Sequence, residues 1–151
     1  MDRSLTSLPT FGVHDPAIAY TPRRAAYAVI RRGNTFTAVR GPSAYFLPGG
    51  GCEKAESFEV AIEREIREEL GREAMNLRFL GRAVQYFYAR SDNVHFKMEA
   101  AFFTAELGSR GTTEPEHELE WLPVSDSGSL LFHSCHSWAV QRAFGGEAHA
   151  I

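Results

Sequence analysis

Leu47–Arg72 reads LPGGGCEKAESFEVAIEREIREELGR, a Pro-Gly-Gly-Gly turn running into a helical pattern. At about 100° per residue, Phe58, Ile62, Ile66 and Leu70 fall on one apolar stripe. On the same wheel Glu65 and Glu69 lie at the edge of the stripe, and Glu68 lies further round on the polar flank. A helix docked by that stripe holds three carboxylates together at the rim of a core. Like charges three and four positions apart repel, and partial burial makes each costlier. A divalent cation offsets both penalties, and hard oxygen ligands suit Mg²⁺. The alternative is a salt-bridged surface helix, because Glu63 and Arg67, Arg64 and Glu68, and Glu68 and Arg72 are also spaced for i,i+4 pairs.

The spacing around the helix separates these readings. It runs Gly50, five residues, Glu56, seven residues, Arg64-Glu65-Ile66, one residue, Glu68-Glu69, one residue, Gly71. This resembles the Nudix box, Gly-x5-Glu-x7-Arg-Glu-U-x-Glu-Glu-x-Gly-U with U a bulky aliphatic. Every fixed position matches except the last, where Arg72 replaces the aliphatic residue. A full set of matches in one register is far more specific than a glycine-rich loop alone. The resemblance implies an α+β fold of the Nudix type, a mixed β-sheet layered α/β/α with a central catalytic helix and a C-terminal helix. It also implies a metal-dependent pyrophosphohydrolase that cleaves a diphosphate in a nucleoside diphosphate linked to another moiety.

The rest of the chain accords with a compact enzyme. Its 151 residues, 44% of them hydrophobic, make one domain with an adequate core. A net charge of −3 leaves no basic footprint for a nucleic-acid polymer. Only Lys54 and Lys97 are lysines against an excess of arginine, the better fork for phosphate oxygens. Cys52 and Cys135 are too few for a disulfide framework. No signal-peptide pattern and no apolar run of membrane-spanning length occurs, so a cytoplasmic protein with no membrane partner is expected.

Residues 1–22 are rich in turn formers and read as an N-terminal arm, 23–147 as the domain and 148–151 as a tail. Arg24 to Arg32 (RAAYAVIRR) reads as a buried strand, Gly33-Asn34 as a hairpin turn and Thr35 to Arg40 as the return strand. Ser57 is the expected N-cap of the central helix and Gly71 its C′ residue. Strands are expected over Leu77 to Tyr88, broken at Gly81, and over His95 to Glu106. A loop over Gly108 to Pro115, a short strand over Glu116 to Val124 and a helix over about Leu131 to Phe144 complete the chain.

Carried over position by position, the resemblance implies Glu65, Glu68 and Glu69 as ligands of Mg²⁺, with Mn²⁺ as a substitute, and the Gly49 carbonyl as a further ligand. Arg64 orients the carboxylates, while Glu56, Gly50 and Gly71 lock loop and helix. Relatives often add an acid from a later loop, and here Glu118, three before Trp121, takes that place, with Glu116 next in line. Arg40, ending the strand before the box loop, is a candidate for a substrate phosphate. Tyr88, sixteen residues beyond Arg72, is a candidate for the attached base. His95, His117, His133 and His136 read as surface or satisfied side chains. Trp121 and Trp138 read as packing residues. No proline lies between Pro48 and Pro115, where ADP-ribose-cleaving relatives commonly carry one, so a nucleoside tri- or polyphosphate is the expected substrate. The alternatives are a catalytically silent ligand-binding module and a hydrolase of a non-nucleotide diphosphate. Oligomeric state is not readable from the sequence.

Overall fold

The computed structural model describes residues 8–111, 114–116 and 119–149. Its elements are β1 (Thr10–Phe11), β2 (Thr21–Arg32), β3 (Thr35–Arg40), β4 (Tyr45–Phe46), β5 (Gly49–Gly51), α1 (Phe58–Leu70), β6 (Arg72–Ala89), β7 (Val94–Arg110), β8 (Glu120–Pro123), α2 (Ser127–Leu130) and α3 (Ser134–His149). The sheet runs in the order β1-β6-β7-β2-β3-β4, with β5 also on β2 and β8 also on β3. β2 pairs parallel with β7 over Thr21↔Phe96 to Ile30↔Ala105. It also pairs antiparallel with β5 over Ala25–Tyr27 and with β3 over Arg31–Arg32.

β2 carries both cores. Its even positions Ala26, Ala28 and Ile30 meet Ala61, Ile62, Ile66 and Leu70 of α1. Its odd positions Ala25, Tyr27 and Val29 meet Cys135, Ala139 and Val140 of α3. A strand covered on both faces reads as an unbroken apolar run, which is why RAAYAVIRR does not alternate in polarity. The alanines, matched by Ala100, Ala101 and Ala105 on β7, let both helices approach the sheet closely. The result is the layered helix–sheet–helix arrangement expected.

α1 begins and ends where the sequence places it. Ser57 Oγ accepts from the Val60 amide at 3.1 Å, and Gly71 takes φ 65° with its N–H on the Arg67 carbonyl, the left-handed turn that glycine adopts freely. Gly71 then turns the chain straight into β6, five residues before the strand expected from Leu77. Register shifts between Arg72 and Ala74, Met75 and Arg78, and Phe79 and Gly81 break the period-two pattern that would reveal the early part of this strand. Arg72, the departure from the box, donates Nε to the Gly108 carbonyl at 2.7 Å and ties the strand start to β7. The expected loop over 108–115 accordingly begins only after Arg110, and of the strand expected over 116–124 the described residues show Glu120–Pro123. Within the stretch read as an arm, Thr10 and Phe11 pair with Val84 and Gln85. Among the described residues no helix is long and apolar enough to cross a membrane.

Candidate active site

Three consecutive glycines form the floor of the site, and a side chain on each would meet a different neighbour. At Gly49, with φ 141°, a Cβ would lie 2.1 Å from the Ala26 carbonyl oxygen; at Gly50 it would lie 2.8 Å from Glu65 Oε2; at Gly51 it would lie 3.2 Å from Arg23 Nη1. The bare backbone of β5 therefore admits a carboxylate of α1 and the guanidinium of β2.

Glu69 Oε1 accepts the Gly49 amide at 2.8 Å. Burial pushes its carboxyl up to about 8 against the opposing pull of that hydrogen bond, and Glu65, Glu116 and Glu68 add their repulsion. Glu65 is also raised, first by burial and then, against the pull of Arg64, by Glu68 and Glu116. Burial disfavours the charged form of each acid, so the site is short of positive charge.

Arg64 braces this rim. Its Nε and Nη2 fork onto Glu56 at 2.7 and 2.9 Å, its Nη1 reaches Glu65 at 3.0 Å and Glu68 at 3.2 Å, and its Nη2 meets the Gly51 carbonyl at 3.1 Å. The fork holds the Glu56 carboxyl down at about 2, since a bidentate partner stabilises the ionised form. Glu56 in turn accepts from the Glu53 amide, closing the loop onto the helix.

Among the described residues, no three or more Asp, Glu, His or Cys side chains are gathered as a finished metal cage. Two of the carboxylates are instead drawn to Arg64 and the third to the Gly49 amide. The donor chemistry nonetheless fits a hard divalent cation. Three carboxylates share one helix rim, and the deepest is pushed toward its protonated form for want of a counter-charge.

A fourth acid approaches from the loop before β8. The Glu116 amide donates to the Glu68 carbonyl at 3.1 Å, and its charge is felt at both Glu65 and Glu69. Glu118 lies outside the described residues.

A cleft of about 360 Å³ opens beside Glu69, Gly49 and Gly50, and its walls include Arg23, Arg40, Phe46, Phe87, Phe96 and His133. Arg23 was not singled out by sequence. Its Nε is buried without a partner, and its guanidinium packs on Gly51 and 5.7 Å from the Phe96 ring centre. Strand alternation could have found it, since Arg24 turns to the other face, 4.3 Å over Phe58. Arg40 borders the cleft, tied to Glu120 Oε2 at 3.2 Å and to the Tyr45 hydroxyl at 2.6 Å. Tyr88 does not line it. Alternation turns Phe87 toward the cleft, and the Tyr88 hydroxyl donates to Asn93. Trp121 lies under the Arg32 guanidinium, and Trp138 packs on Phe102 and Phe11. His133 and His136, expected as surface or satisfied side chains, are both buried, each with one ring nitrogen that is enclosed and unpartnered.

The model of the NUDIX domain family matches residues 21–138. Among solved structures, a MutT NUDIX hydrolase from Burkholderia pseudomallei is 27% identical over 81% of this chain and 98% of its own, with a TM-score of 0.61. A NUDIX hydrolase from Nitrosomonas europaea is 18% identical over 83% and 90%, at 0.64. A mutator MutT protein from Bacillus halodurans is 20% identical over 79% and 80%, at 0.61. No curated protein matches the chain. With the glycine floor, the arginine brace and the acid rim in the register of the box, the chain belongs to the NUDIX domain family and is a Nudix hydrolase.

Proposed function

We propose that this hydrolase cleaves a diphosphate bond in a nucleoside tri- or polyphosphate, in the cytoplasm, with Glu65, Glu68, Glu69 and the Gly49 carbonyl holding Mg²⁺ or Mn²⁺. The observation that carries this reading is the largely buried Glu69 carboxylate, held on the Gly49 amide at 2.8 Å and facing a cleft with aromatic walls. When bound, the cation supplies charge neutralisation for the diphosphate and activation of a water.

The chain's own residues do the rest. Arg64 keeps the Glu65 and Glu68 carboxylates on one side of the helix, a positioning role. Arg23, a cation at the cleft with no carboxylate partner among the described residues, binds phosphate oxygens and holds the chain for in-line attack. Arg40 offers a second guanidinium at the cleft. Phe46, Phe87 and Phe96 supply apolar and stacking surface for the attached ring. A carboxylate of the 114–118 loop takes the proton of the attacking water. Glu118 is the candidate from sequence, and Glu116 is brought beside the rim by its amide on Glu68.

The test is a phosphate-release screen with Mg²⁺ over deoxynucleotides, oxidised nucleotides, dinucleoside polyphosphates, nucleotide sugars and coenzymes, with Glu69→Gln as control. A nucleoside tri- or polyphosphate is expected as the best substrate. ADP-ribose best by about tenfold, a margin of about 1.4 kcal/mol, would overturn the substrate choice. Wild-type activity unchanged by Glu69→Gln would overturn the site.

A further inference from the structure

Two buried histidines lie in line behind the cleft. The Leu47 amide donates to His136 Nδ1 at 3.1 Å. A ring nitrogen that accepts carries no proton, so in neutral His136 the proton resides on Nε2. His136 is fully enclosed, and burial holds its imidazole neutral. The Nε2–H therefore needs an acceptor, and among the described residues it makes no hydrogen bond.

The complementary group is next to it. The His133 ring lies 4.9 Å from the His136 ring, centre to centre, at an interplanar angle of 70°. Its Nδ1 is likewise enclosed and unpartnered, and burial, with Arg23 adding, also holds this imidazole neutral. A hydrogen bond from His136 Nε2–H to His133 Nδ1 in the neighbouring ring would relieve two orphaned groups at once, each of which is costly if left unpaired. That assigns the His133 proton to Nε2. This second nitrogen makes no hydrogen bond and is not among the enclosed unpartnered atoms, so it is the edge that His133 offers to the cleft it lines. Phe87 at 4.5 Å, Phe132 at 4.8 Å and Phe46 at 5.6 Å, centre to centre, fix the ring between them.

We propose that the Leu47–His136–His133 relay makes His133 a donor-only, specificity-determining residue that selects substrates whose ring presents an acceptor to it, the keto oxygen of a guanine- or uracil-type base, over bases with an amine at that edge. This deepens the nucleotide-hydrolase reading and rests on it. An amine facing His133 Nε2–H sets donor against donor in an enclosed site. Sites built to hydrogen-bond one partner reject the mismatched one far more strongly than apolar pockets do.

Two measurements on the holoprotein with Mg²⁺ decide it. Long-range ¹H–¹⁵N correlation spectra of the wild type report the imidazole tautomers directly. The expected result is an unprotonated Nδ1 and a protonated Nε2 on both His133 and His136; a proton on His133 Nδ1 overturns the relay. In parallel, kcat/KM is compared for GTP against ATP and UTP against CTP. The keto member of each pair is expected to lead by about tenfold or more, the worth of one net hydrogen bond to a neutral partner. His133→Ala should bring the ratios to near one mainly through KM of the keto substrates. His133→Gln, which offers donor and acceptor, should admit both classes. Ratios that stay unchanged in both variants overturn the assignment of specificity to His133. Failure of the wild type to turn over any nucleotide sinks the hydrolase reading and the base selection with it, and is told apart because the tautomers are read without turnover.

Discussion

Replacing Glu69 by Gln tests the site through stability, independently of catalysis. The carboxyl is moved from an ordinary 4.5 to about 8 by burial. An acid whose folded pKa is raised binds its proton more tightly when folded. Its contribution is intact below about 4.5 and is lost as pH rises toward 8. At pH 7 the gap from 4.5 amounts to an order of about 3 kcal/mol, taking about 1.36 kcal/mol per unit. Glutamine keeps the size and can still accept the Gly49 amide, but has no charge to bury. In chelator, Glu69→Gln is therefore expected to be more stable than wild type at pH 7 by about 1–3 kcal/mol, and nearly equal to it at pH 4.5. Urea unfolding in steps from pH 4.5 to 8 reads this as a midpoint difference that grows with pH, on the order of 1 M at pH 7. Adding Mg²⁺ at about 100 times its dissociation constant stabilises the wild type by about 2.7 kcal/mol and the variant by less. A variant less stable than wild type in chelator at every pH, or a wild-type stability flat from pH 5 to 8, would refute the claim that Glu69 is a dehydrated, uncompensated acid.

Arg64→Ala should lower the unfolding temperature, since it leaves Glu56 and Glu65 without their partner in a partly buried site, and should lower kcat; thermal unfolding and turnover check both. Arg64→Lys should recover part of the stability and little of the activity, because a single ammonium cannot reproduce the fork onto Glu56. Glu118→Gln and Glu116→Gln should each be compared with Glu120→Gln, whose carboxylate is engaged by Arg40 and Tyr45. At least one of the first two should lose about a hundredfold in kcat, and an equal small loss in all three would remove the proton acceptor from this loop. Phe87→Ala should raise KM for nucleotides about tenfold, in line with the worth of a stacked base. Tyr88→Ala should leave KM within about twofold, because Tyr88 faces away from the cleft; the reverse order would contradict the strand assignment.

What could be read from the chain was local. The helix caps at Ser57 and Gly71, the apolar stripe and the spacing from Gly50 to Gly71 all lie within a few turns, and the structure keeps them. The buried run of β2 was legible because a strand covered on both faces needs no polar positions. The start of β6 was not, because bulges near Ala74, Arg78 and Gly81 destroy the period that signals a strand. Arg23 and the His133–His136 pair were missed for a different reason. Their meaning comes from partners far off in sequence: Gly51 and Phe96 for Arg23, Leu47 and the aromatic wall for the histidines. A lone histidine in a C-terminal helix gives no hint that an amide from the box loop has chosen its tautomer.

The three-way pairing of β2 bears on where this protein can breathe. Amide exchange proceeds through local openings that break the fewest contacts. β2 is bonded to β7 along ten positions, to β5 at its middle and to β3 at its end, with α1 on one face and α3 on the other. Its protons are expected to exchange mainly through global unfolding, so the β5 floor and the Arg23 anchor are mounted on a strand expected to exchange slowly. Among the described residues, the turns at 41–44 and 90–93 border the cleft, and their amides are expected to exchange earlier than those of β2 and to be slowed by a bound nucleotide.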